Sequence, residues 1–180
     1  MPSVALSCHP STPCAYARSL EVHVEHKGAG TLALRYVLDA DLERLQIPER
    51  KTPAHTDGLW RHTCFEAFVR KPQSSGYCEL NFAPSGEWAA YRFAGYRSGM
   101  APIDLSPPPI ETHRKVQGLE MRVDFDLAAL DPAFASSVVL IALSAVIEDD
   151  AGTLSYWALK HPAGKPDFHD GEGFALAIND

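Results

Sequence analysis

The sequence predicts an all-β chain, an antiparallel β-sandwich of jelly-roll or immunoglobulin-like type with two sheets, about ten strands and one or two short helical turns. Three observations carry this. Apolar and polar residues alternate through most of the chain, the period of a half-buried strand. The 14 prolines and 12 glycines fall between apolar runs rather than in one block, which marks many short elements joined by turns. Helical periodicity is scarce. With 180 residues, 46% of them hydrophobic, the chain is read as one domain over 1–180, large enough to bury about 70% of its unfolded surface.

The elements follow in order. "LEVHVEH" (20–26) sets Leu20, Val22 and Val24 against Glu21, His23 and Glu25, and "TLALRYVL" (31–38) follows the turn signal "KGAG", so the pair reads as a hairpin. "DADLERL" (39–45) reads as one helical turn before the loop "IPERKTPAHTDG". Three strands come next, over 63–70, 77–83 and 87–94. Beyond the proline-rich loop 100–109, "IETHRKV" and "LEMRVDFDL" are strands split by Gly118, and "LAALDPAF" is a second helical turn. "SVVLIALSAVI" is long and β-branched, read as a central strand buried on both faces, with a helix as the alternative on periodicity alone. "LSYWAL" and "FALAI" close the chain around the loop "KHPAGKPDFHDGEG".

Composition narrows the partners. A formal charge of −7 with 16 lysines and arginines and no basic cluster lacks the electrostatic footprint for nucleic acid or anionic membrane. A neutral or weakly cationic small ligand fits better. The N-terminal stretch has no charged leader followed by an apolar run, and nowhere do 18 apolar residues follow one another, so a cytoplasmic protein is the expectation. Cys8, Cys14, Cys64 and Cys78 lack CxxC spacing and are expected as free thiols, with a Cys64–Cys78 bridge as the alternative for an exported chain.

The stretch "LWRHTCFEAFV" places a glutamate, Glu66, inside a strand among aromatic and sulfur side chains. In the hairpin "YCELNFAPSGEWAAYRF" (77–93) the turn is marked by Pro84, Ser85 and Gly86. A loop of two or of four residues gives the same parity, with Cys78, Leu80 and Phe82 sharing a core face with Ala89, Tyr91 and Phe93. The other face then carries Tyr77, Glu79 and Asn81 beside Trp88, Ala90 and Arg92, and the two-residue register sets Glu79 opposite Arg92. Phe65, Ala67 and Val69 suit the core, which turns Cys64, Glu66 and Phe68 to the second face. Two readings meet there. Rings, carboxylates, an amide and a guanidinium on one surface suit a sugar-like ligand; the same charges could form a solvated network worth little.

"DGLWRHTCFEAFV", "YCELNFAPSGEWAAYRFAGYRSGM" and "SYWALKHPAGKPDFHDGEGFAL" resemble the DOMON-like domains related to family 9 carbohydrate-binding modules, above all their short bacterial versions, over residues 6–178. The resemblance implies a β-sandwich that holds a ligand against a concave face or at one end. It also implies two tryptophans around a terminal sugar, with an acidic residue and an arginine on its hydroxyls. Trp60 and Glu66 match the first tryptophan and the carboxylate, Trp157 the second wall, and Arg92 the arginine with Arg97 behind it. Glu79 and Asn81 extend the polar set. The function so implied is a non-catalytic module for a carbohydrate or related polyhydroxylated ligand.

Alternatives stand beside it. Some DOMON relatives bind haem, for which Met100, His113, His161 and His169 have the right donor chemistry. Glu66 and Glu79 could pair as the carboxylates of a glycoside-acting enzyme. No catalytic residue is assigned. No zinc spacing links His55, His62, His161 and His169, and the acidic turn "IEDDAGT" (147–153) is the one candidate for calcium.

Overall fold

The computed structural model describes residues 3–28, 30–135 and 137–179. Its strands are β1 (Ser3–Cys8), β2 (Ala17–His26), β3 (Thr31–Ala40), β4 (Cys64–Arg70), β5 (Tyr77–Phe82) and β6 (Trp88–Phe93). There follow β7 (Ala101–Pro102), β8 (Ile110–Lys115), β9 (Gly118–Asp126), β10 (Val139–Glu148), β11 (Leu154–Ala158) and β12 (Leu176–Ile178). The all-β expectation holds, and all pairings between these strands are antiparallel.

The division into two separate sheets does not appear. The strands hydrogen-bond along one path, β7-β6-β5-β4-β10-β11-β1-β2-β3-β9-β8, with β12 added on β10. The join is β1, whose residues Ser3 to Leu6 pair with β2 while Ser7 and Cys8 pair with β11. This single sheet curls so that its halves share a core. Tyr36 on β3 meets Phe65 on β4 with ring centroids 5.0 Å apart, and Phe82 on β5 meets Phe125 on β9 at 6.0 Å.

"SVVLIALSAVI" is a strand. β10 lies between β4 and β11 and is buried along nearly all its length, which explains its apolar run without alternation. The two helical turns fall where the sequence puts them, at Leu42–Arg44 and at Leu127–Leu130 continued by Pro132–Phe134. Each begins at an aspartate, Asp41, Asp126 or Asp131, whose side chain accepts from a backbone N–H two residues on, as N-caps do. Further turns form at Leu59–Arg61 and Gly171–Gly173.

A buried polar contact helps tie the halves together. The buried Tyr36 hydroxyl donates to the backbone carbonyl of Glu66 at 2.9 Å. Tyr36→Phe is expected to cost about 1 kcal/mol, because the ring still packs while a buried acceptor loses one partner. Urea unfolding with an unchanged m-value checks this.

Candidate ligand-binding site

The β5–β6 turn decides which side chains meet. Ala83 and Glu87 close the hairpin, so the loop has three residues, Pro84, Ser85 and Gly86, with Gly86 at φ +90°. Three-residue hairpins with a left-handed glycine are a standard alternative to even loops, and an odd count reverses the parity. Phe82 therefore faces Trp88, Cys78 faces Arg92, and Glu79 faces Tyr91. Trp88, Ala90 and Arg92 join the core side; Ala89, Tyr91 and Phe93 join Glu79.

Arg92 thus lies away from the predicted face, and its Nη2 donates to the Leu130 carbonyl. Trp157 is likewise elsewhere. It pairs with Ala145 and Cys8, is buried in the common core, and donates Nε1 to Ser155 Oγ at 3.1 Å. Neighbours in a strand point opposite ways, so Tyr156 takes the side that the sequence reading assigned to Trp157. Cys64 and Cys78 sit on opposite faces of adjacent strands, and the four cysteines are free thiols.

The second face runs across five strands. Glu66 pairs directly with Asn81 on one side and Ser144 on the other, Phe68 with Glu79 and Ala142, and Cys64 with Val146, which itself pairs with Tyr156. Chain segments fold over this face: the turn 59–61, the tight turn 95–99 and the loop 160–175. Between them remains a cavity of about 360 Å³. Trp60, Glu66, Glu79 and Arg97 all line it, joined by Tyr91, Phe93, Met100, Val146, Tyr156, Pro166, Phe168 and His169. Asn81 lies one layer below, fully buried, and donates Nδ2 to Glu79 Oε1 at 2.7 Å.

Each wall is held for a reason. Trp60 is 38% exposed because Gly58, left-handed at φ +78°, starts a turn that buries Leu59 and leaves the next side chain outside. Its indole stands edge-on to Tyr91, centroids 6.3 Å apart, and the Tyr91 hydroxyl is fixed by Asp57 at 2.6 Å. Across the cavity, Tyr156 packs against Phe168 at 5.8 Å.

Arg97 has φ +48°, a left-handed backbone rare outside glycine. It is held there by the turn in which Ser98 N–H donates to Gly95 O, and its own N–H donates to the Tyr77 hydroxyl oxygen at 3.2 Å. Its guanidinium is paired with Asp167 at 2.8 Å. Burial works against the Asp167 charge, yet bonds from Tyr96, Arg97 and the His169 N–H hold this carboxyl below its usual range.

The carboxyls on the floor are perturbed the other way. Glu66 is 3% exposed, and burial together with the nearby Glu79 charge pushes its pKa well above the usual carboxylate range. Burial raises Glu79 too, against the bond from Asn81 and the charge of Arg97. Burial lowers His169 to about 4, with Arg97 adding to the effect, so its ring is neutral at pH 7. Since the Tyr77 oxygen accepts from Arg97, its hydrogen is free for His169 Nδ1, 2.7 Å away. The ring then carries its own hydrogen on Nε2, facing Glu79 Oε2 at 3.8 Å, too long for a hydrogen bond.

Tyr91, Phe93 and Tyr156 escaped the sequence reading through parity alone. His169 and Phe168 sit in a proline- and glycine-rich loop, where only the placing of a ring and an imidazole beside acids could have marked them. Of the four residues with haem-ligand chemistry, Met100 and His169 line the cavity; His161 Nε2 is bound to the Ser7 carbonyl oxygen, and His113 on β8 lies opposite Glu120 on β9. The acidic turn is a closed hairpin end: Asp149 caps Ala151 and Thr153, and Asp150 pairs with Arg44.

Neither a family model nor a curated protein matches this chain. Among solved structures it is similar to a candidate carbohydrate-binding protein from Bacteroides uniformis, with 11% identity, TM-score 0.68, 96% of this chain covered and 84% of that one. It is also similar to a family 9 carbohydrate-binding module from Caldicellulosiruptor kristjanssonii in complex with cellotriose, with 9% identity, TM-score 0.51, and 89% and 75% covered. At such identities the likeness is one of fold, and what it establishes is that this all-antiparallel architecture is one found in carbohydrate-binding proteins.

Proposed function

We propose that this chain is a non-catalytic, DOMON-like binding module for a saccharide or related polyhydroxylated small molecule, held in the cavity between Trp60 and the Tyr156–Phe168 pair. One observation carries the reading: the cavity has aromatic walls while Glu66, Glu79 and Arg97 share its lining. Flat rings cover the C–H faces of a pyranose, and fixed carboxyl and guanidinium groups meet its hydroxyls. The fold shared with carbohydrate-binding proteins supports it. So does the partial exposure of Trp60, whose bare indole a sugar ring would cover.

Isothermal titration with glucose, cellobiose, cellotriose and other mono- and disaccharides tests the reading. Trp60→Ala is expected to weaken the best ligand about tenfold, the order of one lost stacking contact. Arg92→Ala and Trp157→Phe are expected to bind as the parent does, since both side chains lie off the cavity face. Failure of every saccharide, or full binding by Trp60→Ala, would refute the proposal. Release of phenol from aryl glycosides at a rate abolished by Glu79→Gln would turn it toward an enzyme.

A further inference from the structure

At and beneath the cavity floor lie buried polar atoms that no described residue satisfies with good geometry. Glu66 Oε1 and Ser144 Oγ make no hydrogen bond of good geometry among the described residues, although they belong to residues directly paired between β4 and β10 and the Ser144 hydroxyl is near enough to favour the Glu66 charge. Both side chains are more than nine-tenths buried, and Glu66 borders the cavity. Leaving such atoms unsatisfied is unfavourable. A floor of this kind is completed by what binds on it.

The charges around Glu66 indicate what that is. Glu79 and Tyr77 face it from β5, Tyr91 from β6, Cys64 from its own strand, Tyr156 from β11, and Arg97 and His169 from the covering turn and loop. Burial raises the Cys64, Tyr77 and Tyr91 groups, which stay uncharged at neutral pH. His169 is neutral there as well. Arg97 is the single cation of the set, and its guanidinium is committed to Asp167. Two carboxyls therefore share a confined space without a free counter-charge, a situation in which one keeps its proton.

We infer that the ligand of this cavity carries a protonated amine beside its hydroxyls, as an amino sugar or another polyhydroxylated amine does, with the ammonium seated between Glu66 and Glu79. The inference rests on the saccharide reading and narrows it. In the empty site, burial and the Glu79 charge favour the neutral acid form of Glu66. An arriving ammonium supplies the missing positive charge, so Glu66 loses its proton to solvent and both carboxylates accept N–H donors; no covalent bond forms or breaks beyond that O–H. A neutral hydroxyl cannot hold two adjacent carboxylates ionised, and an N-acetyl group brings no charge. The net charge of −7 favours the same class of ligand.

Titration calorimetry at pH 6.5 in two buffers of different ionisation enthalpy tests this with glucosamine, glucose, N-acetylglucosamine and cyclohexylamine. Glucosamine is expected to bind about tenfold tighter than glucose, the scale of one charge-assisted hydrogen bond, and to release about one proton. N-acetylglucosamine should do no better than glucose, and Glu66→Gln should abolish both the preference and the proton release. Glucose binding as tightly as glucosamine, or glucosamine binding without proton release, overturns the amine inference and leaves the saccharide reading intact. Cyclohexylamine matching glucosamine sinks the saccharide reading and keeps the amine preference. Binding by none of the four overturns both.

Discussion

Glu66→Gln is expected to fold, to be more stable than the parent at pH 8 by about 1–3 kcal/mol, and to bind its ligand about tenfold more weakly. Both effects have one source. Burial and the Glu79 charge raise the folded-state pKa of Glu66, whereas in the unfolded chain it returns to about 4.3. Above that value the folded chain keeps a proton which the unfolded chain has shed, so rising pH favours unfolding. The slope is at most about 1.4 kcal/mol per pH unit until the folded value is passed. His169 acts in the opposite sense: its folded value of about 4 lies below the ordinary one of about 6.5, so it adds stability as pH rises between the two and nothing more beyond. The two contributions oppose each other up to about pH 6.5, and from there to about pH 8, below the range in which the unfolded chain's thiols ionise, the raised carboxyls set the trend. Urea midpoints from pH 5 to 8 should therefore fall at the alkaline end for the parent and fall less for Glu66→Gln, in which Glu79 is the remaining raised carboxyl of the cavity. Equal slopes for the two proteins would show that Glu66 is an ordinary exposed acid. The amide keeps the shape of the acid but cannot become an anion, which is why the stabilised protein binds poorly.

Glu66 was also the residue most legible in the sequence. Alternation alone placed this acid, flanked by Cys64, Phe65, Ala67 and Phe68, with Glu79 and Asn81 on a second surface; whether that surface met solvent or a ligand stayed open, and the structure shows Glu66 buried at a cavity. The all-β class was visible for the same reason: alternation is a local signal, and each strand carries its own; about ten strands were expected and twelve form among the described residues, β1 and the two-residue β7 being the additions. What failed was relative register. Arg92 and Trp88 were put on the ligand face because the loops considered had even numbers of residues, and a three-residue loop with Gly86 in the left-handed region moves every side chain of β6 to the other face. Trp157 failed through the same period, one residue from Tyr156. No local signal shows that β1 divides its hydrogen bonds between β2 and β11, so two sheets were expected where one curls. Arg97 stands only behind Arg92 in the sequence resemblance; its place on the cavity depends on a left-handed backbone and on Tyr77, a contact made across 20 residues.

Gly118→Ala is expected to cost about 4 kcal/mol or more, enough to leave much of the protein unfolded at 37 °C. Gly118 opens β9 immediately after the two-residue turn Val116–Gln117, at φ +146°, a region that side chains other than hydrogen scarcely enter. A Cβ there would collide with the Leu38 carbonyl oxygen and come within 3.1 Å of Asp39 Cα. Both are backbone of β3, and Leu38 and Asp39 pair with Leu119 and Gly118 in the β3–β9 ladder, so neither can yield without opening hydrogen bonds that also register β8. The damage lies in the half of the sheet that bears no cavity residue: the cavity is lined from β4, β5, β6, β10, β11 and the segments covering them. Stability and site therefore separate in this variant. Its urea midpoint should drop sharply, while at low temperature, where a folded fraction survives, that fraction should bind ligand with the parent's Kd and only the apparent number of sites should fall. A full complement of stable protein would mean that β3 can retreat from β9 at little cost. A changed Kd in the folded fraction would mean that the two halves of the curled sheet communicate through the shared core, with the Tyr36 bond to the Glu66 backbone as the shortest link between them.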